Sequence, residues 1–351
     1  MAYFRTTIDA LEAYQPGEQP VPGADVVKLN TNENPYPPSP KALAVLRDIE
    51  GDQLRQYPRP FADEFRNAAS DVLDVRPDQI LVGNGSDDIL TLLFRAVTDS
   101  SRGVAYPSPT YVLYRTLARM QDASVVEVPF DEAFSLPVRQ LVEQDAALTL
   151  VASPNSPSGN QATNDALAEL AEGLDGVLAV DEAYVDFAAG SALDLVRRHH
   201  NVVILRTLSK SHGLAGLRLG FAVAPPQLVA GLAKVKDSYN VDAIACRVGA
   251  AAIRDTAYTR SVVDRVRASR ARLAGGLESI GFRVWPSDAN FLLTRPADGA
   301  ARTVYQQLKT AGILVRYFDT PGLGDKLRIT VGTDAQNDRL LAALDEGSSQ
   351  R

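Results

Sequence analysis

Val202-Val203-Ile204-Leu205-Arg206-Thr207-Leu208-Ser209-Lys210-Ser211-His212-Gly213-Leu214-Ala215-Gly216-Leu217-Arg218-Leu219-Gly220 opens on four apolar residues and closes on small residues around a lysine and an arginine. A short β-branched run that gives way to turn-forming residues reads as a buried strand. The loop after it holds nothing bulky enough to shield the Lys210 amine. In open α/β sheets ligands gather beyond the carboxyl ends of the strands, so Lys210 marks the side of the sheet to search. A lysine becomes a covalent catalyst where desolvation and nearby cations, here Arg206 and Arg218, lower its basicity; the plainer reading is a solvated surface lysine.

Working outward, apolar runs rich in Val, Ile and Leu recur at 80–82, 103–106, 148–151, 177–180, 202–205 and 221–224. Helical spacing fills the gaps at 88–97, 110–120 and 164–174, where Leu167, Leu170 and Leu174 share a face. Strands alternating with helices predict an α/β domain with a mostly parallel central sheet flanked by helices. After Cys246 the texture changes to a long amphipathic helix through Val262, Val263, Val266 and Leu273, then three short strands around Val284, Phe291 and Ile329. This predicts a smaller α+β domain. The expected division is 1–45 for an N-terminal arm with part of the small domain, 46–245 for the large domain, and 246–351 for the rest of the small one. Nine prolines and glycines between Pro16 and Pro40 are too many for a helix or central strand, so the arm is expected to drape over its neighbours.

The chain has 351 residues, enough for one large domain and a companion. A formal net charge of -7 is unsuited to nucleic acid or an anionic membrane surface. Neither a signal-like start nor a membrane-length apolar stretch is present. One cysteine, Cys246, allows no internal disulfide. A cytoplasmic protein acting on small molecules is expected. Three histidines, two of them adjacent, offer no metal-ligand spacing, and no metal is expected. His199 and His200 close a helix, where positive charge is favourable.

Other strand ends add candidates. Gly83-Asn84-Gly85-Ser86-Asp87 stands between a strand and a helix, an arrangement that directs free N–H groups at an anion. Taken alone, Ser86 or Asp87 as a simple helix cap is the more ordinary explanation. Asp181 ends the run 177–180 among apolar neighbours, where a carboxylate calls for a positive partner; an arginine or a cofactor would serve. Tyr111 follows Tyr106-Pro107-Ser108-Pro109 and reads as core or as a stacking platform.

Thr207-Leu208-Ser209-Lys210-Ser211 with Gly213 and Arg218 resembles the cofactor-lysine signature of the fold-type I aminotransferases, which use pyridoxal phosphate. Ser153-Pro154-Asn155-Ser156-Pro157-Ser158-Gly159 and Asp181-Glu182-Ala183-Tyr184 are similar to that family's ring-binding segments, in the family's order. The resemblance narrows to the histidinol-phosphate aminotransferases through Asn32-Glu33-Asn34-Pro35, Gly83 to Asp87, Lys236-Asp237-Ser238-Tyr239-Asn240-Val241 and Leu327-Arg328-Ile329-Thr330, and it spans nearly the whole chain. Two departures stand out: Asp88 where glutamate is common, and His212 where an apolar or aromatic residue is usual.

The resemblance implies a Schiff base on Lys210, which also shuttles the proton at the substrate α-carbon. It implies that Asp181 keeps the pyridine nitrogen protonated. Asn155 and Tyr184 would hydrogen-bond the ring oxygen, and Tyr111 would stack on the ring. Gly85, Ser86, Ser209 and Arg218 would hold the phosphate, with Asp87 also at the cofactor site, joined by Tyr57 from the other subunit of a homodimer whose active sites lie at the interface. Arg328, with Arg316, would grip the carboxylate of glutamate and the phosphate of histidinol phosphate, and Tyr14, Tyr239, Asn240 and Asn155 would line the substrate pocket. The implied reaction is L-histidinol phosphate plus 2-oxoglutarate to imidazole-acetol phosphate plus L-glutamate. Two other activities share these motifs: an aromatic (phenylalanine) aminotransferase and a phosphothreonine decarboxylase. A ligand-sensing regulator would need a DNA-binding module for which this chain has no room.

Overall fold

The computed structural model describes residues 3–11, 17–21 and 23–349. Strand β1 is Val27–Lys28. The strands of the large sheet are β2 Ile80–Gly83, β3 Val104–Ser108, β4 Val125–Pro129, β5 Leu148–Ala152, β6 Val177–Asp181, β7 Val202–Thr207 and β8 Gly220–Val223. They lie in the order β2-β8-β7-β6-β5-β3-β4, all parallel except β8, which runs against β2 and β7. The expected α/β architecture is observed. One strand of this sheet escaped the sequence reading: β4 pairs only with β3 at the sheet edge and buries only Val128, so it lacks the continuous apolar run of an inner strand.

Both faces of the sheet are covered, and successive residues point to opposite faces. On β7, Val202 and Ile204 pack into one core and Val203 and Leu205 into the other; on β6, Leu178 and Val180 oppose Ala179. The helix Ser86–Val97 puts Ile89, Leu90, Leu92, Leu93 and Phe94 into the second core. With one end of each parallel strand wedged between buried layers, the loops beyond the carboxyl ends are held in register.

A third core belongs to the smaller domain. The helix Thr256–Ser279 buries Val262, Val263, Val266, Leu273 and Leu277 there. Strands β9 Arg283–Val284, β10 Phe291–Arg295, β12 Arg316–Tyr317 and β13 Leu327–Thr330 form an antiparallel sheet in the order β12-β13-β10-β9, and β11 Ile313–Leu314 pairs in parallel with β1. The N-terminal arm therefore does carry a strand, a two-residue one in the gap between Gly23 and Pro35, and Val27 and Leu29 join the small-domain core.

Both expected domain divisions fall inside helices. Pro40–Arg47 packs Ala42 into the first core against Ala243–Arg254, which stays there through Ile253. We therefore place the changes of core between Leu29 and Ala42 and between Ile253 and Val262. The change of texture at Cys246 reflected a new helix, and helices do not announce which core they join.

Candidate active site

A cleft of about 630 Å³ opens at the carboxyl ends of the parallel strands. β6 delivers Asp181, β7 delivers Thr207 followed by Ser209 and Lys210, β3 delivers Ser108 followed by Tyr111, and the loop after β2 delivers Ser86 and Asp87. The small domain closes the opposite wall with Arg316, Phe318, Leu323 and Arg328, and the arm adds Thr31, Asn32 and Glu33.

At the floor, Asp181 is buried. Its carboxylate accepts hydrogen bonds from the Tyr114 hydroxyl at 3.0 Å and the Ala183 N–H at 3.1 Å. Neither the arginine partner that its sequence surroundings suggested nor any other ion pair reaches it among the described residues. Burial pushes its carboxyl up to about 6, against the pull of the Tyr114 and Ala183 hydrogen bonds. A buried carboxylate with hydrogen-bond donors but no counter-cation is suited to a protonated ring nitrogen.

The Lys210 side chain crosses the face of Tyr184, its Nζ 5.5 Å from the ring centroid and 3.5 Å from the Thr31 carbonyl. Asn34 fixes the loop by donating to the carbonyls of Lys210 and Ser211, at 2.9 and 3.0 Å. Tyr184 is held in turn: Asn32 donates to its hydroxyl at 2.9 Å and Phe291 meets its ring edge-on. With its lone pair engaged, the Tyr184 proton is available to an acceptor in the cleft.

Arg206 does not serve as a cation beside Lys210. Thr207 lines the cleft but Arg206 does not; Arg206 instead borders a second cavity of about 360 Å³. There it pairs with buried Glu182 at 2.7 Å, and Glu182 also accepts from Ser191 and the Ala192 N–H. Asp186 lies 3.6 Å from Arg206 and accepts from Ser211, whose hydroxyl meets His212 Nδ1 at 2.9 Å. Burial lowers the His212 pKa.

Gly85 caps the helix Ser86–Val97 at φ 85°, ψ 165°, and neither Ser86 nor Asp87 acts as a side-chain cap. A Cβ on Gly85 would lie 2.8 Å from Arg218 Nη2, and one on Gly220 would lie 2.4 Å from the Ser86 nitrogen. Gly220 is thus required for the close approach of loop and helix start, and Gly85 for its positive φ. The open N–H groups of the helix, the hydroxyls of Ser86, Thr207 and Ser209, and the Arg218 guanidinium converge on this corner, and Asp87 lies 3.6 Å from Arg218. These residues fit pyridoxal phosphate: donors for a phosphate at one end, an acceptor for a ring N–H at the other, and a lysine amine between. Tyr111 lines the same cleft and donates to Asp87 at 3.2 Å.

On the small-domain wall, Arg328 donates to Ser156 Oγ and the Asn30 carbonyl, both at 2.9 Å, and lies over Phe291 and Phe318. Arg316 sits one strand over, opposite Arg328 in register, above Phe318. Two guanidiniums on neighbouring strands of one sheet are a donor set suited to an anion.

Not every expected residue reaches the cleft. Asn155 is buried, donating to the Pro109 carbonyl and Ser158 and accepting from Thr110, so in this structure its amide braces the loop that carries Tyr111. Asn240 donates to the Val82 carbonyl and to Asp88, tying its segment to β2 rather than lining the pocket. Tyr239 and Tyr57 stack on each other at 4.5 Å on the surface, away from this chain's own cleft. Tyr14 lies outside the described residues. Tyr114, conversely, was missed as a site residue. It shares the apolar face of its helix with Leu117 and Ala118, and nothing in helical spacing distinguishes a tyrosine that meets a carboxylate from one that only packs. Asn32 stood within a quoted motif, but its bond to Tyr184 joins positions 152 apart.

The aminotransferase class I and II family matches residues 24–344. Histidinol-phosphate aminotransferase 1 of Trichormus variabilis is 58% identical over 97% of this chain and 98% of its own. The histidinol-phosphate aminotransferase of Rhodopirellula baltica is 44% identical, with 97% and 95% covered. The crystal structure of histidinol-phosphate aminotransferase from Sinorhizobium meliloti, in complex with pyridoxal-5'-phosphate, superposes with a TM-score of 0.91 at 25% identity, covering 100% of this chain and 98% of that one.

Proposed function

The chain belongs to the aminotransferase class I and II family, and from that premise we propose that it transfers the amino group of L-histidinol phosphate to 2-oxoglutarate, yielding imidazole-acetol phosphate and L-glutamate. It is an aminotransferase that depends on pyridoxal phosphate. The observation that carries the substrate assignment is the pair Arg316 and Arg328 facing the same cleft as Lys210 and Asp181.

The bound cofactor supplies an electron sink for the bond broken at the substrate α-carbon. The chain's own residues do the rest. Lys210 Nζ would hold the cofactor and, once the incoming substrate amine has taken its place, the freed amine would take the proton from the substrate α-carbon. Asp181 would hold a proton at the ring nitrogen, Tyr184 would donate to the ring oxygen and Tyr111 would cover the ring. Gly85, Ser86, Ser209 and Arg218 would hold the phosphate. Arg328 and Arg316 receive phosphate in one half-reaction and carboxylate in the other, because a planar guanidinium donates two parallel hydrogen bonds to either anion. Both rings of the Tyr57–Tyr239 stack are surface-exposed, which supports a homodimer in which Tyr57 completes the partner's phosphate site. Among the described residues no helix is long and apolar enough to cross a membrane; we place the enzyme in the cytoplasm.

The test is single-turnover absorbance of cofactor-loaded protein mixed separately with L-histidinol phosphate, L-phenylalanine and L-glutamate. Fast reaction with histidinol phosphate and glutamate supports the proposal. Preference for phenylalanine would make the enzyme an aromatic aminotransferase, and release of carbon dioxide from phosphothreonine a decarboxylase. For the dimer, mixing Tyr57→Phe with Lys210→Ala protein should restore part of the activity that each lacks, since a hybrid holds one site with both wild-type residues.

A further inference from the structure

Tyr114 belongs to none of the roles above, yet it is the fully buried partner of the most unusual carboxylate in the protein. Its ring is wedged edge-on between Tyr106 and Tyr111, at 5.7 Å from each, and its hydroxyl donates to Asp181 Oδ2 at 3.0 Å. The Ala183 N–H holds the other oxygen. Burial and the charge of Asp181 keep the Tyr114 hydroxyl well above the usual phenol range, so it remains a donor throughout the pH range of the enzyme.

We propose that Tyr114 is a positioning residue that sets where the proton between Asp181 and the cofactor's ring nitrogen resides. The reasoning rests on Asp181 facing that nitrogen. A hydrogen bond donated to a carboxylate stabilises its charged form and lowers its basicity. With the phenol in place, Asp181 competes less well for the shared proton, which stays on the ring and keeps the ring electron-accepting. Without it, the buried carboxylate reverts to the higher basicity that burial alone imposes and draws the proton to itself. A neutral acid beside a neutral pyridine would then replace the ion pair. Tyr114 thereby compensates for the depth at which Asp181 is buried.

The experiment is ¹⁵N NMR of the protein loaded with cofactor labelled at the ring nitrogen, comparing wild type, Tyr114→Phe and Asp181→Asn. Tyr114→Phe removes one oxygen from a packed ring and leaves its aromatic contacts, so folding should survive. The expected result is a wild-type resonance in the protonated pyridine region, an Asp181→Asn resonance in the unprotonated region, and a Tyr114→Phe resonance displaced from the first toward the second. Alongside, kcat should fall about tenfold in Tyr114→Phe with KM changed less than about twofold, the signature of an interaction felt in the transition state rather than in binding. A Tyr114→Phe resonance coincident with wild type, while Asp181→Asn moves, overturns the role of Tyr114 alone. Coincident resonances in all three overturn the placement of Asp181 as well.

Discussion

Arg218→Gln separates what an arginine does for the cofactor from what it does for the fold. In the protein alone, Arg218 meets Asp87 at 3.6 Å and the Ala215 carbonyl at 3.3 Å, with the two charged side chains 48% and 42% exposed. A pair so open to solvent contributes at most about 1 kcal/mol. Arg218 sits at φ 55°, ψ 53°, and glutamine is no worse there than arginine. The apoprotein should therefore melt within about 2 °C of wild type. The loaded protein behaves differently, because a charge-assisted bond to phosphate is worth about 2 kcal/mol, or roughly thirtyfold in dissociation constant. At a cofactor concentration about 100 times the wild-type dissociation constant, binding stabilises wild type by about 2.7 kcal/mol. The variant, at about three times its own, should gain only about 0.8 kcal/mol. Absorbance titration of apoprotein with pyridoxal phosphate gives the constants, and thermal melts with and without cofactor give the linked stabilities. An unchanged dissociation constant, or an apoprotein that loses as much as the loaded form, would refute the placement of Arg218 at the phosphate.

Three further expectations follow from particular contacts. Arg328→Lys keeps a charge but loses the planar fork that bonds Ser156 and the Asn30 carbonyl; kcat/KM for histidinol phosphate and for glutamate should each fall about 10- to 100-fold, and a loss confined to one substrate would contradict a shared anion site. Glu182→Gln leaves the Arg206 charge, 13% exposed, with only the more distant Asp186 as counter-ion; a loss of about 3 kcal/mol in urea denaturation is expected, and a change under about 1 kcal/mol would show that water reaches the pair. Asp181, pushed up to about 6 by burial, binds a proton in the folded apoprotein that it releases on unfolding at the same pH. Its favourable contribution is complete below about pH 4 and is lost as pH rises through 6, about 3 kcal/mol in all. Apoprotein stability should thus fall from pH 4 to 7 relative to Asp181→Asn, as read by chemical denaturation; parallel curves would count against the buried carboxylate.

The order of elements was legible because buried parallel strands are written as apolar runs and the helices between them as 3.6-residue patterns. The edge strand β4 was not, since only one of its five residues is buried. Lys210, Asp181, Ser86, Asp87, Tyr111 and Ser209 were legible for a related reason. Each stands within a few residues of a strand's carboxyl end, so local sequence and the geometry of open sheets place them together. Arg316 and Arg328 came from the family resemblance, with no local signal of their own.

What sequence alone determined about this protein is therefore its architecture and its cofactor chemistry, and it singled out residues that the structure brings to one cleft. Tertiary structure decided the rest: that Arg206 serves Glu182 and not Lys210, that Asn155 and Asn240 brace loops, that Asn32 holds Tyr184, and that Tyr114 meets Asp181 across 67 residues. The physical reason is that periodicity and motif report which face of an element a side chain occupies, whereas a hydrogen bond depends on tenths of an ångström between elements that only the packed cores bring together.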